Sequence, residues 1–143
     1  MTSYSPPERV YVDNEWYDGP RAGVADIGGI PHRFISPFIE TRDDEPDIFL
    51  VWPVDQIELD LELEQWAIYV EWNTRREAGE TGDDSHPGHG GINARWDEIQ
   101  ILLHSARTEV PPTARRALAQ TTYIGRAQRY GAELNYQLGW HLL

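Results

Sequence analysis

With 143 residues, 40% of them hydrophobic, the chain is long enough for one folded domain with its own core, and its composition excludes a disordered protein. The absence of cysteine excludes disulfides and thiolate metal sites, and the absence of lysine excludes a Schiff-base lysine and a P-loop. The formal net charge of −12 would repel a phosphate backbone, and we therefore expect no nucleic-acid partner.

The first third of the chain predicts a leader followed by four strands. Residues 1–8 contain Ser, Thr and a Pro-Pro pair, which indicates a loose leader. The strands are predicted from β-branched and aromatic runs that are bounded by turn residues, with Gly28-Gly29 as a hairpin turn and a charged loop at 40–47. The predicted strands cover residues 9–17, 22–27, 30–36 and 48–54.

A long helix is predicted over residues 55–78. Asp55 and Glu58 form a capping-box-like pair before an apolar run, and two Arg followed by Gly79 mark the end. Residues 56–63 alternate between apolar and acidic side chains, as a half-buried strand does, but Leu, Glu and Gln are good helix formers and poor strand formers. We therefore predict a helix here.

This helix carries two apolar stripes on roughly opposite sides. Either the sheet covers one side and a second helix covers the other, or the second side meets another chain. Ile68 and Trp72 are the candidate binding residues for a self-association surface. The first stripe consists of Leu59, Leu63, Trp66 and Val70, and the second consists of Ile57, Leu61, Ile68 and Trp72.

The last part of the chain predicts one more helix and one or two strands. Asn93 is positioned to cap a helix over 94–105 with a buried stripe of Trp96, Ile99, Leu102 and Leu103. Residues 114–124 predict a strand, or a short helix that runs into one, and a loop follows at 125–131. Residues 134–142 alternate strictly between apolar and polar side chains, which predicts a strand with one buried face.

Four phrases carry a resemblance to known proteins: WYDGPRAGVADIGGIPHRF, FLVWPVD, EQWAIYVEWN and HPGHGG, in that order. They resemble small bacterial proteins that have a YDGP-type hairpin followed by a long Trp-rich helix. The resemblance covers roughly the first two-thirds of the chain and consists of turn and core residues. It implies no function and no catalytic residue.

The loop TGDDSHPGHGG between the two predicted helices is the main candidate for a site. His86 and His89 lie three residues apart beside Asp83 and Asp84, and imidazole and carboxylate together suit zinc, manganese or iron. Further ligands would come from Asp13, Glu15, His32 or His141 if the fold brings them close. The alternative is a polar turn whose side chains cap the neighbouring helix.

The same loop has a second interpretation as an anion cradle. Glycines 88, 90 and 91 would let backbone amides point inward, and Arg95 lies in the first turn of the following helix. The spacing matches no nucleotide fingerprint, and the two Asp would repel an anion. Nucleophilic catalysis is disfavoured because the chain has no G-x-S-x-G motif.

These observations predict one α+β domain, with an antiparallel sheet of five or six strands and two main helices packed on one face. The chain has no membrane-spanning apolar run and no signal peptide, so we expect a cytoplasmic protein. We expect a binding protein rather than an enzyme: an acidic protein-binding module, of the inhibitor or immunity type, for a basic partner, or a homodimer. No cofactor is expected. One alternative is a small protein or hydrolase that binds a divalent metal at the His86/His89 loop, and another is a small-ligand sensor that uses the polar sheet face.

Overall fold

The computed structural model describes residues 2–37, 48–125, 131 and 133–143. The predicted loop at 40–47 and most of the predicted loop at 125–131 lie outside these residues. The described residues form six strands and two helices, and two 3-10 turns, Asp83–Ser85 and Pro87–His89, lie between the helices. In chain order the elements are β1 (Glu8–Trp16), β2 (Pro20–Ile27), β3 (Ile30–Ile35), β4 (Ile48–Pro53), α1 (Gln56–Glu77), α2 (Ala94–Thr108), β5 (Arg115–Tyr123) and β6 (Tyr136–Leu142).

The six strands form one antiparallel meander that closes into a barrel. The α+β class, the strand count and the two helices agree with the sequence prediction, but the closure was not predicted. Strands β1 and β6 close the barrel through two residue pairs, Glu8 with Leu138 and Arg9 with Gln137. The Gly28-Gly29 hairpin is confirmed, because both glycines have positive φ and Ile27 pairs with Ile30. Residues 114–124 contain a strand, β5, rather than a helix.

The core contains a cluster of three aromatic rings. Phe34, Phe49 and Trp140 have ring centroids 5.7–6.0 Å apart, and all three side chains are buried. Gly23 lies against Phe34, and a Cβ at Gly23 would come within 2.2 Å of the Val12 carbonyl oxygen. The strand therefore needs glycine there to let β1 and the Phe34 ring approach.

The two helices pack on each other, and α1 packs on β1. Asp55 caps α1 by accepting a hydrogen bond from the Glu58 backbone amide, as predicted. In the first predicted stripe, Leu59 and Trp66 are buried and the other two residues are half-buried, which confirms this core face. The stripe predicted for α2 is right at Ile99 and Leu103 but wrong at Leu102, which is 56% exposed. Among the described residues, no helix is both long and apolar enough to cross a membrane.

The second stripe of α1 is covered in part by the loop that joins the helices. The Trp72 indole N–H donates to the Ser85 hydroxyl at 2.9 Å, and its ring lies against the His86 ring with centroids 4.5 Å apart. The helical stripe is left open at its start, where Ile57 is 74% exposed. The loop thus covers Trp72. The sequence had predicted that a second helix or a second chain would cover this stripe.

Residues 2–7 of the predicted leader have no regular secondary structure, yet Ser5 joins them to β6. The Ser5 amide donates to the Trp140 carbonyl at 2.8 Å, and the Trp140 amide donates to the Ser5 hydroxyl at 2.9 Å. Gly139 permits this approach, because a Cβ there would lie 2.5 Å from the Ser5 carbonyl oxygen. The leader therefore continues the closure of the barrel beyond the β1–β6 pairs.

Candidate functional site

A pocket of about 300 Å³ opens between β1 and the two helices. We call it the helix–barrel pocket. Its volume is at the small end of the range for small-molecule sites. Its walls come from one strand, two helices and the loop between them, so that it forms only when all of these are in place. The lining residues are Val12, Asp13, Asn14, Glu15, Trp16, Glu62, Gln65, Trp66, Tyr69, His86, Trp96, Gln100 and Arg107.

The base of the pocket is a buried ion-pair network centred on Glu62. Glu62 and Arg33 are each 1% exposed, and an Arg33 Nη atom lies 2.7 Å from a Glu62 carboxylate oxygen. Arg107, from α2, contacts the same carboxylate through Nε at 3.1 Å and through Nη2. Glu58 accepts from the other Arg33 Nη at 3.0 Å. Two carboxylates thus meet two guanidinium groups, so the network is close to neutral.

Two glutamines extend this network to the second helix. Gln65 accepts from Arg107 at 2.6 Å and donates to Gln100 at 2.9 Å, and Gln100 also accepts from Arg107 at 3.1 Å. Burial alone would raise the pKa of Glu62, but the adjacent Arg107 and Arg33 outweigh burial and hold that pKa below its ordinary value. Glu62 therefore stays ionised, and its neighbours fix its position.

Aromatic rings form a continuous wall above this base. The ring of Trp66 lies against Tyr69 with centroids 5.6 Å apart, Tyr69 lies 5.7 Å from His86, and His86 lies 6.2 Å from Trp96. Burial lowers the pKa of His86, with a further contribution from the nearby His89 and Arg76, while Asp83 acts in the opposite direction. His86 is therefore uncharged at neutral pH and belongs to the ring wall.

The strand side of the pocket carries two further carboxylates. Asp13 is buried and accepts a hydrogen bond from the Tyr136 hydroxyl at 3.0 Å. Glu15 is exposed, and Trp16 lies edge-on to Tyr136 with ring centroids 5.5 Å apart. Both carboxylates therefore line the pocket on the strand side.

Of the four residues predicted to bind a metal, two make contacts within their own loop and a third pairs with the preceding helix. His86 Nδ1 accepts from the Gly88 amide at 2.8 Å, and His89 Nε2 lies 3.1 Å from the Asp83 carbonyl oxygen. The Asp83 carboxylate accepts from Arg76 at 2.9 Å, and Asp84 is exposed. These contacts agree with the alternative in which the loop is a polar turn between helices.

The fold separates the residues that were expected to complete a metal site. Asp13 and Glu15 line the same pocket as His86, but His32 and His141 make hydrogen bonds to the carbonyls of Ile30 and Ser3. In the part of the chain that the structure describes, no three His, Asp or Glu residues are grouped as a metal site requires. Metal binding at the loop stays a prediction.

Two residues of the predicted anion cradle, Gly91 and Arg95, bind carboxylates of the chain itself. Arg95 donates to both oxygens of Glu64, at 2.5 and 2.8 Å, and to Glu98 at 2.5 Å. The Gly91 amide donates to the Asp97 carboxylate at 2.9 Å. Internal carboxylates thus occupy the positions predicted for an external anion.

The candidate self-association residues Ile68 and Trp72 lie outside the helix–barrel pocket. They line a shallow depression together with Pro87 and Ile92. Both side chains are half-buried. Self-association through them stays a prediction.

A row of polar residues on α1 was not identified from the sequence, and two of them, Glu62 and Gln65, line the pocket. Glu58, Glu62, Gln65 and Asn73 follow the helical spacing of the first apolar stripe, one position away from it, and the last three are buried. A polar row beside a core row is the available signal, because buried polar groups need partners. Arg33, the partner of Glu62, lies in β3, and nothing in the local sequence connects Arg33 with Glu62.

Comparison of the chain with known proteins finds no matching protein family, no matching curated protein and no matching solved structure. The resemblance to bacterial proteins with a YDGP-type hairpin stays a prediction.

Proposed function

We propose that the chain is a binding protein for a small molecule and that the helix–barrel pocket is its site. The observation that carries this proposal is the combination of an aromatic wall with a fixed polar base in one cleft. Concave sites that combine aromatic side chains with placed polar groups are typical of small-ligand pockets. This function is the ligand-sensor alternative predicted from the sequence. The proposed site, however, is the pocket and not the polar sheet face.

Binding rather than catalysis is proposed because the titratable groups of the pocket are poorly suited to proton transfer. Glu62 is held ionised by two guanidinium groups, which makes it a weak base. His86 already accepts a hydrogen bond at Nδ1 from the loop. The network instead holds the base of the pocket in one arrangement, which reduces the ordering cost of binding.

The test uses the six tryptophans as separate reporters in one spectrum. A fragment library of neutral, anionic and cationic molecules is titrated into isotope-labelled protein, and the indole N–H signals are followed. A pocket ligand should shift the signals of Trp16, Trp66 and Trp96, which line the pocket, and leave those of Trp52 and Trp140 in place. Uniform shifts, or no shift with any fragment, would contradict the proposal.

A protein-binding function is the second candidate, and the outer face of α2 favours it. Ile101 is 78% exposed and Leu102 is 56% exposed, on a chain whose net charge is −12. Apolar anchors surrounded by negative charge suit a basic protein partner. A partner captured from a bacterial lysate should be basic, and the paired changes Ile101→Glu and Leu102→Glu should abolish its capture. Capture that is unaffected by both changes would remove this surface from consideration.

A further inference from the structure

We infer that the ligand of the helix–barrel pocket is a small organic cation of the alkylammonium class. This inference rests on the proposed function and adds the chemistry of the ligand. It is based on the rings that line the pocket, on the charges of its lining residues and on the way its arginine is occupied.

The rings provide the first argument. Trp16, Trp66, Tyr69 and Trp96 line one pocket, and ring-to-ring contacts connect three of them through His86. The faces of Trp and Tyr rings attract cations, and groups of such rings recognise alkylammonium ligands in many proteins. Because His86 is uncharged at neutral pH, it adds no repulsion to this wall.

The charges provide the second argument. Among the described lining residues, Asp13, Glu15 and Glu62 carry carboxylates and Arg107 carries a guanidinium group. The base network contains as many guanidinium groups as carboxylates, so its charges are balanced. Outside this network, the exposed carboxylate of Glu15 presents a negative charge at the pocket, in a protein whose overall field already attracts cations.

The arginine provides the third argument. Of the lining residues that the structure describes, Arg107 is the only one that is cationic at neutral pH, so an anionic ligand would need it. Arg107 Nε and Nη2 contact Glu62, Nη2 also contacts Gln65, and Nη1 contacts Gln100. An anion would have to displace these contacts and would be repelled by the exposed carboxylate of Glu15, whereas a cation displaces none of them and is attracted by that carboxylate.

The experiment titrates the full chain with tetramethylammonium and with choline, at constant ionic strength maintained with sodium chloride. Two probes of the same shape serve as controls: the neutral isostere of choline in which carbon replaces nitrogen, and the anion trimethylacetate. We expect saturable binding of both cations with shifts at Trp16, Trp66 and Trp96, and binding of the neutral isostere weaker by at least about tenfold.

Two variants of equal charge separate local attraction from the overall field. Glu15→Gln removes a carboxylate at the pocket and should weaken choline binding by about threefold or more, within the range of partly exposed charge contacts. Glu71→Gln removes an exposed carboxylate of α1 outside the pocket and should leave the affinity unchanged. Trp96→Leu should also weaken binding, with circular dichroism confirming that the helices remain.

The outcomes keep this inference apart from the proposed function. If neutral or anionic fragments shift the three pocket tryptophans and the ammonium probes do not at millimolar concentration, the site stands and the cation class is overturned. If Glu15→Gln and Glu71→Gln reduce the affinity equally, the attraction is a property of the whole surface and the inference also fails. If no fragment of any charge shifts these signals, both fail.

Discussion

The change Glu62→Gln tests whether the buried network at the base of the pocket holds the fold together. This substitution keeps the shape of the side chain and removes its charge. Glu62 contacts two guanidinium groups, and Arg33 is only 1% exposed, so that it cannot turn to water when its partner is lost. Removal of one partner from a buried ion pair typically costs about 3–5 kcal/mol, because the other charge stays buried.

The structure places the expected loss near the lower limit of that range, at about 3 kcal/mol. Arg107 is 17% exposed and keeps Gln65 and Gln100 as acceptors, and Glu58 still pairs with Arg33. For a domain of this size such a loss corresponds to a fall in melting temperature of roughly 10 °C. Urea unfolding and calorimetry measure the two quantities independently.

The same helix offers a matched control in Glu64→Gln. Glu64 makes short contacts with Arg95, at 2.5 and 2.8 Å, yet both side chains are more than 40% exposed. Water screens this pair, so its loss should change the stability far less than the loss of Glu62. Equal changes for the two variants would show that burial does not determine the strength of these pairs, and the reasoning would be wrong.

Acid pH provides an independent measurement of the same network. The folded-state pKa of Glu62 is lowered below its ordinary value of 4.5, so ionised Glu62 stabilises the folded state. This contribution is fully present above pH 4.5 and is lost as the pH falls through the lowered pKa. The Glu62→Gln variant should lack this part of the acid destabilisation, and identical slopes of stability against pH below 4.5 for both proteins would contradict the assignment.

Four further predictions concern the core, the histidines, metals and the oligomeric state. Trp140→Ala should lower the free energy of unfolding by about 3–5 kcal/mol, because the ring is 3% exposed and packs on two Phe rings, whereas Trp140→Phe should cost less. An unchanged urea midpoint for the Ala variant would show that the ring is not core. The His86 ring should titrate below pH 6.5 by NMR, so that its contribution to stability is present above pH 6.5 and is lost as the pH falls through the lowered pKa; a pKa above 6.5 would contradict its burial. Added zinc should leave the melting temperature unchanged, because His86 and His89 are bonded within the loop, and a rise that His86→Ala abolishes would restore the metal hypothesis. Light scattering checks the homodimer prediction, in which Ile68→Glu should convert a dimer to a monomer; a monomeric wild-type protein would remove the idea.

The elements of the fold were predictable because each has a local cause. The Asp55 cap, the Gly28-Gly29 turn and the alternation of residues 134–142 all depend on neighbours in the sequence, and the structure contains the helix, the hairpin and the strand that they indicate. The α2 stripe shows the limit of this reasoning. Leu102 fits the helical period next to Leu103 but points away from the barrel, and periodicity alone does not distinguish adjacent positions at the edge of a stripe.

The closure of the barrel and the pocket were not predictable, because their causes are non-local. The pairs of β1 with β6 join the first strand to the last, and the pocket requires β1, α1, α2 and the connecting loop at once. The His86/His89 loop was predicted as a site because its reactive side chains are close together in the sequence. The contact between Arg33 and Glu62 was not predicted, because the two residues meet only after the sheet and α1 have packed.

The seam between β1 and β6 also has a consequence for the order in which the molecule folds. The Ser5–Trp140 bond joins positions 135 apart, and the Asp13–Tyr136 bond joins positions 123 apart. During synthesis β1 to β4 emerge long before β6. The outer edge of β1 therefore stays unpaired until β6, the last strand to be synthesised, is available. We expect a slow closing step in refolding, with the tryptophans of the pocket reaching their final environment only in that step. Until then the exposed edge of β1 is the place where a nascent chain is open to pairing with another chain, and a chaperone or rapid synthesis of β6 would protect it.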